Sequence, residues 1–231
     1  MDYNDVMSEL EKMGTAQNVK IYKRHGAGDN LFGVSFGNLN KLKKKTKFDH
    51  DLALKLWESG NADARTFAIL IADPNQIKAS TADAWVKDIN YYLLSDLLAG
   101  LVAKSPIADK MAEKWMKAKK EFIRQCGYNI IGAMFREGRD FPDATCKQIL
   151  TTIEKEIHAS PNRARHAMNM ALIAIGIYKR NLTDDAIAAA ERIGVVEVDH
   201  GETSCKTPAA IPYIKKALAR PAKKGEKKSA A

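Results

Sequence analysis

Three stretches of the chain place polar side chains on helices that would otherwise be smooth and apolar. Projected at about 100° per residue, residues 92–104 put Leu94, Leu97, Leu98, Leu101 and Val102 on one stripe, with Asp96 pointing away beside Ala99, Gly100 and Ala103. On 122–135, Gln125, Tyr128, Asn129 and Gly132 share the side opposite Ile123, Ile130 and Met134. On 163–177, Arg165, His166, Asn169 and Gly176 lie opposite Ala164, Ala167, Ala171 and Ile175. The chemistry on offer is a carboxylate, amides, an imidazole and a guanidinium framed by small residues, over which a bulky ligand can approach the helices closely. For Asp96 alone a plainer reading stands beside it, an acid near a helix start stabilised by the helix dipole.

Other constellations carry less. His25, His50, His158, His166 and His200 form no HExxH or similar close ligand pair, so no metal site and no cofactor is expected, and lone histidines read as structural or solvated. Asp199, His200 and Cys205 could form a thiol-activating cluster, but Gly201–Ser204 reads better as a turn and Thr207-Pro208 as an N-cap with proline at the first helical position. Gly26, Gly28 and Gly33 lack the spacing and strand context of a dinucleotide fingerprint. Cys126, Cys146 and Cys205 are an odd, unpaired set, expected as free thiols.

The formal net charge of +9 invites an anionic partner. Much of it is terminal: from Lys215 onward, Lys215, Lys216, Arg220, Lys223, Lys224, Lys227 and Lys228 face a single acid, Glu226, leaving +3 for the rest. Lys41, Lys43, Lys44, Lys45 and Lys47 form a second cluster, suited either to phosphates or to a solvated helix end. The chain has no run of 18 apolar residues, and Met1-Asp2-Tyr3-Asn4-Asp5 lacks the pattern of a signal peptide. A cytoplasmic monomer without membrane contact is expected.

The elements that would position these residues read as helices throughout, an all-α chain of about a dozen short ones. Asp73-Pro74, Ser105-Pro106, Phe141-Pro142, Ser160-Pro161 and Thr207-Pro208 mark their boundaries. Trp57, Trp85 and Trp115, spaced 28 and 30 residues apart, each sit in a helix followed by another. The pairs are 49–58 with 62–72, 81–89 with 92–104, 107–118 with 121–135, and, without tryptophan, 143–158 with 161–178. Pairs repeating at this interval cannot each close a core, so they stack into a solenoid whose second helices line one face. An ordinary helical fold with chance hairpins is the alternative. The expected organisation is a domain over 1–220 and a flexible basic tail over 221–231, which holds no large apolar residue.

The stretch Ile21-Tyr22-Lys23-Arg24-His25-Gly26-Ala27-Gly28-Asp29-Asn30-Leu31-Phe32-Gly33-Val34-Ser35, then Asp49 to Gly60 around Trp57, then Asp63-Ala64-Arg65-Thr66-Phe67-Ala68, resembles a bacterial branch of the DNA alkylation repair (AlkD-like) proteins. The resemblance covers most of residues 15–180. It rests on the order and spacing of motifs that are not individually diagnostic. It implies a HEAT-like superhelix holding duplex DNA on a basic concave surface. In active members it also implies excision of cationic N3- or N7-alkylpurines without flipping the base into a pocket, unlike most glycosylases. An alkylated purine cation is already a good leaving group, so such a site needs a fixed anion near the sugar and a positioned water. Asp96, in Tyr92-Leu93-Leu94-Ser95-Asp96, falls on the family's catalytic aspartate.

The sequence departs from that pattern at three places. Tyr92 stands where active members carry a tryptophan that supports the lesion, and Met170 replaces a second tryptophan. Gln125 stands where an arginine clamping the phosphodiester is expected; Arg124 is adjacent, but neighbours on a helix lie about 100° apart. The resemblance therefore leaves three functions open: an alkylpurine glycosylase acting through Asp96, a non-catalytic binder of duplex or branched DNA, and a protein-interaction solenoid. For either of the first two, the DNA-contacting set is Tyr92, Gln125, Tyr128, Asn129, Arg165, His166, Asn169, Met170 and Lys43, Lys44 and Lys45. The segment Val196–Pro208 resembles one found in part of the same branch, with no role attached to it.

Overall fold

Four of the five prolines expected to mark helix boundaries, Pro74, Pro106, Pro142 and Pro161, lie between consecutive helices, while Pro208 lies in an irregular segment. A computed structural model describes residues 1–220, and within them the chain forms thirteen α-helices and no strand. The basic tail expected at 221–231 lies outside the described residues. Three N-terminal helices come first: α1 (Tyr3–Met13), α2 (Ala16–Arg24) and α3 (Phe36–Thr46). They precede four helix pairs: α4 (His50–Glu58) with α5 (Ala62–Ile71), α6 (Ala79–Asp88) with α7 (Tyr92–Ala103), α8 (Ala108–Met116) with α9 (Glu121–Arg136), and α10 (Asp143–Glu156) with α11 (Asn162–Tyr178). These are the four pairs expected from the sequence, with ends within two residues. A fifth pair, α12 (Thr183–Ile193) and α13 (Ala210–Leu218), follows and is joined by a long irregular segment over 194–209.

The second helices form a row in which α5, α7, α9, α11 and α13 each pack on the next, while the first helices lie behind them. The tryptophans knit that back row together. Trp57 and Trp85 stack with centroids 4.4 Å apart and planes 8° from parallel, an arrangement worth about 1 kcal/mol beyond its buried area. The Trp57 indole N–H donates to Asp88 of α6 at 3.1 Å and that of Trp115 to Asp83 of α6 at 2.8 Å. All three indoles are buried. Gly127 lets the front and back rows meet: a Cβ there would lie 2.4 Å from the Met116 backbone nitrogen, so only a hydrogen allows α9 to pass the end of α8.

The N-terminal motifs have structural work. Asp63 is buried at the start of α5, and its carboxylate accepts from the backbone N–H groups of Phe32, Gly33 and Val34 at 2.7 to 2.9 Å. Asn61 caps the same helix by accepting from Asp63 and Ala64. Gly33, at φ +81°, sits where a Cβ would meet the Thr15 carbonyl at 2.6 Å. The Asn30–Val34 and Asn61–Ala64 stretches thus form one hydrogen-bonded unit that locks the N-terminal helices onto the first repeat.

Two readings of the sequence are corrected here. Thr207-Pro208 does not start a helix: α13 begins at Ala210 with Pro212 in its first turn, and the Thr207 hydroxyl is turned onto two histidines instead. The small residues beside Asp96 are not all an open floor, because Ala99 and Ala103 are buried in the core and only Gly100 faces open space. Gly176 is likewise packed against Ile214 and Ala186.

Candidate nucleic-acid interface

Asp96 lies on the front row, in the second turn of α7, past the first-turn positions at which a helix dipole would account for it. Its Oδ1 accepts from Gln125 Nε2 at 2.7 Å and Asn129 Nδ2 at 2.6 Å, both from α9. Oδ2 has no protein partner among the described residues. Asp96 has exposed surface, yet α9 crowds its carboxyl from one side. That desolvation pushes its carboxyl up to about 6, against the two amide donors and the nearby Arg163 charge, which hold it down. Asp96 is thus ionised at neutral pH but close to its titration point. A recess of about 300 Å³ opens beside it, walled by Asn129, Gly132 and Arg136 of α9, His166 and Met170 of α11, and Tyr213 of α13.

The sequence candidates divide on this geometry. Asp96, Asn129, His166 and Met170 converge on the recess. Gln125 is buried, and its amide is spent on Asp96 and the Tyr92 carbonyl, leaving Oε1 without a partner. Tyr128 is only 1% exposed, a wall of the recess rather than a surface contact. Arg124 pairs with Glu156 of α10 and does not replace the missing clamp. Arg165 is half-buried with its Nε unpartnered, outside the recess. Lys43, Lys44 and Lys45 occupy the last turn of α3, where the helix dipole favours cations; Lys43 lies over the exposed Phe48 ring, and α3 is not among the walls of the recess.

Over the start of α11 lies the segment 194–209, tied down by Asn162 and Arg163, which the sequence did not single out, and by His166 and Asn169, which were expected to face DNA. Asn162 and Asp199 exchange two hydrogen bonds through the Asn162 amide and the Asp199 backbone, at 2.6 and 2.8 Å. Asn169 donates to the Pro208 carbonyl at 2.9 Å. Between them runs a directed chain. Arg163 Nη1 meets His200 Nδ1 at 3.1 Å, and because a guanidinium only donates, that nitrogen is an acceptor and the ring proton sits on Nε2. Nε2–H then donates to Thr207 Oγ1 at 2.9 Å, and the Thr207 hydroxyl passes its hydrogen to His166 Nδ1 at 2.9 Å. Both rings are therefore neutral. Burial first, then the repulsion a protonated His166 would meet from His200 and Arg163, drives the His166 pKa down to about 4, and burial lowers that of His200 too. With both ring nitrogens of His200 engaged, the thiol-activating cluster with Cys205 is not formed.

Tyr92 lies on the other side of the same network. The Arg163 guanidinium covers its ring at 4.2 Å, and its hydroxyl meets His25 Nδ1 at 2.6 Å. His25 and His200, read from the sequence as lone, are both parts of this site. Their partners are 67 and 37 residues away in the chain, a separation no helical projection reveals.

The chain matches the family described as DNA alkylation repair enzyme over residues 6–214. It belongs to that family. Uncharacterised proteins of Listeria innocua and Listeria monocytogenes are each 31% identical over 224 residues, covering 94% of this chain and 98% of theirs. A solved structure from a new family of proteins related to the HEAT-like repeat DNA glycosylases, with affinity for branched DNA structures, superposes with a TM-score of 0.85. It is 33% identical and covers 94% of each chain. This DNA alkylation repair family member thus has the HEAT-like superhelix. No helix among the described residues is long and apolar enough to cross a membrane.

Proposed function

We propose that this protein binds branched or distorted DNA along its concave face and does not excise alkylated bases. The observation that carries this reading is the occupation of the Asp96 surroundings. The amide of Gln125 is turned onto the carboxylate, and neither Gln125 nor Arg124 offers a guanidinium to a phosphodiester at that place. A glycosylase stabilises positive charge developing at the sugar while it holds the backbone in register, and here the first function has a candidate group without the second. The affinity of the solved relative for branched DNA supports the same partner class.

A second reading stays in view because Asp96 is ionised at neutral pH and keeps Oδ2 free to hold a water. One set of measurements separates them. A binding titration should show a four-way junction bound more tightly than a linear duplex of equal length. Under single turnover, duplex carrying 7-methylguanine should yield no more abasic sites with the wild type than with Asp96→Asn. An excision rate that falls by about 10²–10³ on that substitution would instead make the protein a glycosylase acting through Asp96.

A further inference from the structure

The concave face needs a cation to hold a phosphate, and the position where the family resemblance implies one carries glutamine. Arg163 is a guanidinium the fold brings instead to a neighbouring cleft, and it does not line the recess beside Asp96. It enters from the first turn of α11, lies over the Tyr92 ring with its central carbon 4.2 Å from the centroid, and is close enough to Asp96 to hold that carboxyl down. It takes part in no ion pair among the described residues; Glu121, which lines the same cleft, accepts from the Arg163 backbone N–H through Oε1. One of its five donors goes to His200. A cleft of about 290 Å³ opens beside it, between His25, Tyr92, Asn162 and Asp199.

A guanidinium held over a ring and on His200, with no ion pair among the described residues, has already lost much of the rotamer freedom that binding would otherwise remove, and its remaining planar donors match two phosphate oxygens. His200 fixes that orientation from the 194–209 segment, and Thr207 fixes His200 as the tautomer that accepts from arginine. We propose that Arg163 is the phosphate-binding residue of the concave face, and that the Asp199–Thr207 strap is the element that positions it. This rests on the DNA-binding reading above.

The test measures affinity for a four-way DNA junction across a salt series. Arg163→Gln should weaken binding roughly tenfold or more and make the slope of log affinity against log salt shallower by about 0.9, the signature of one lost phosphate contact. Arg163→Lys keeps the charge, so the slope should return while part of the affinity stays lost. His200→Ala should weaken binding by Arg163 but add nothing in the Arg163→Gln background, a non-additivity that a merely structural histidine would not give. Thermal melts establish that each variant is folded, and Arg163→Lys carries the test if Arg163→Gln is not. Wild-type binding with an unchanged slope in Arg163→Gln, or full affinity in Arg163→Lys with additive His200→Ala, overturns this assignment while leaving DNA binding in place. Absence of junction binding by the wild type overturns both.

Discussion

Asp96 keeps its charge at a cost in stability. Its carboxyl is raised from the ordinary 3.8 to about 6 by desolvation. The folded protein therefore holds that proton more tightly than the unfolded chain, and the resulting stability is fully present below about pH 3.8 and lost as pH rises through about 6. Asp96→Asn should accordingly be more stable than the wild type at pH 7.5, by on the order of 1 kcal/mol because solvent at its exposed surface screens part of the cost. The gain should vanish near pH 4. Melting curves of both proteins across pH 4–8 check this, and a less stable variant at pH 7.5 would mean that Asp96 is a structural acid.

At the scale of elements, the motifs that mark the family divide between anchoring and function. Asp63 anchors: it satisfies three backbone donors from residues 32–34, two of them buried and one partly so. Asp63→Ala should destabilise the protein by about 3 kcal/mol or more, since the donors lose a charged acceptor and two of them stay buried. Chemical denaturation measures the loss. Amide exchange should rise first in residues 31–35, and a loss under 1 kcal/mol would show that water replaces the carboxylate. The strap is the opposite case, irregular and held by side chains alone, and its one strongly directed chain ends at His166 on the recess that Asp96 shares.

Across the whole molecule, charge is unevenly spread, with Lys223, Lys224, Lys227 and Lys228 all in the last eleven residues. If the concave face carries the DNA, deleting 221–231 should make the salt dependence of binding shallower without abolishing binding. Loss of all affinity on deletion would place the binding element in the tail. The lysine cluster of α3 belongs to the same electrostatic field rather than to the recess, so its substitution should act through the salt slope and not through junction preference.

Local order was legible in the sequence because its causes are local. Helix periodicity, the proline boundaries and the tryptophan interval specify the pairs, since a helix pair with one apolar side has nowhere to bury it except against its neighbours. Asp96, Asn129 and His166 could be placed on polar helix sides for the same reason, whereas Met170 was singled out only through the family resemblance. The loop clamp of Asp63 could not, nor could the Arg163–His200–Thr207–His166 chain, because both depend on segments about 30 to 41 residues apart meeting in space. Projection gives direction but not depth, so it placed Gln125 and Tyr128 on the polar side without showing that both are buried. Arg163, one helix position from the stripe that was read as polar, became a site residue only when the strap folded back across α11 and fixed where its guanidinium lies.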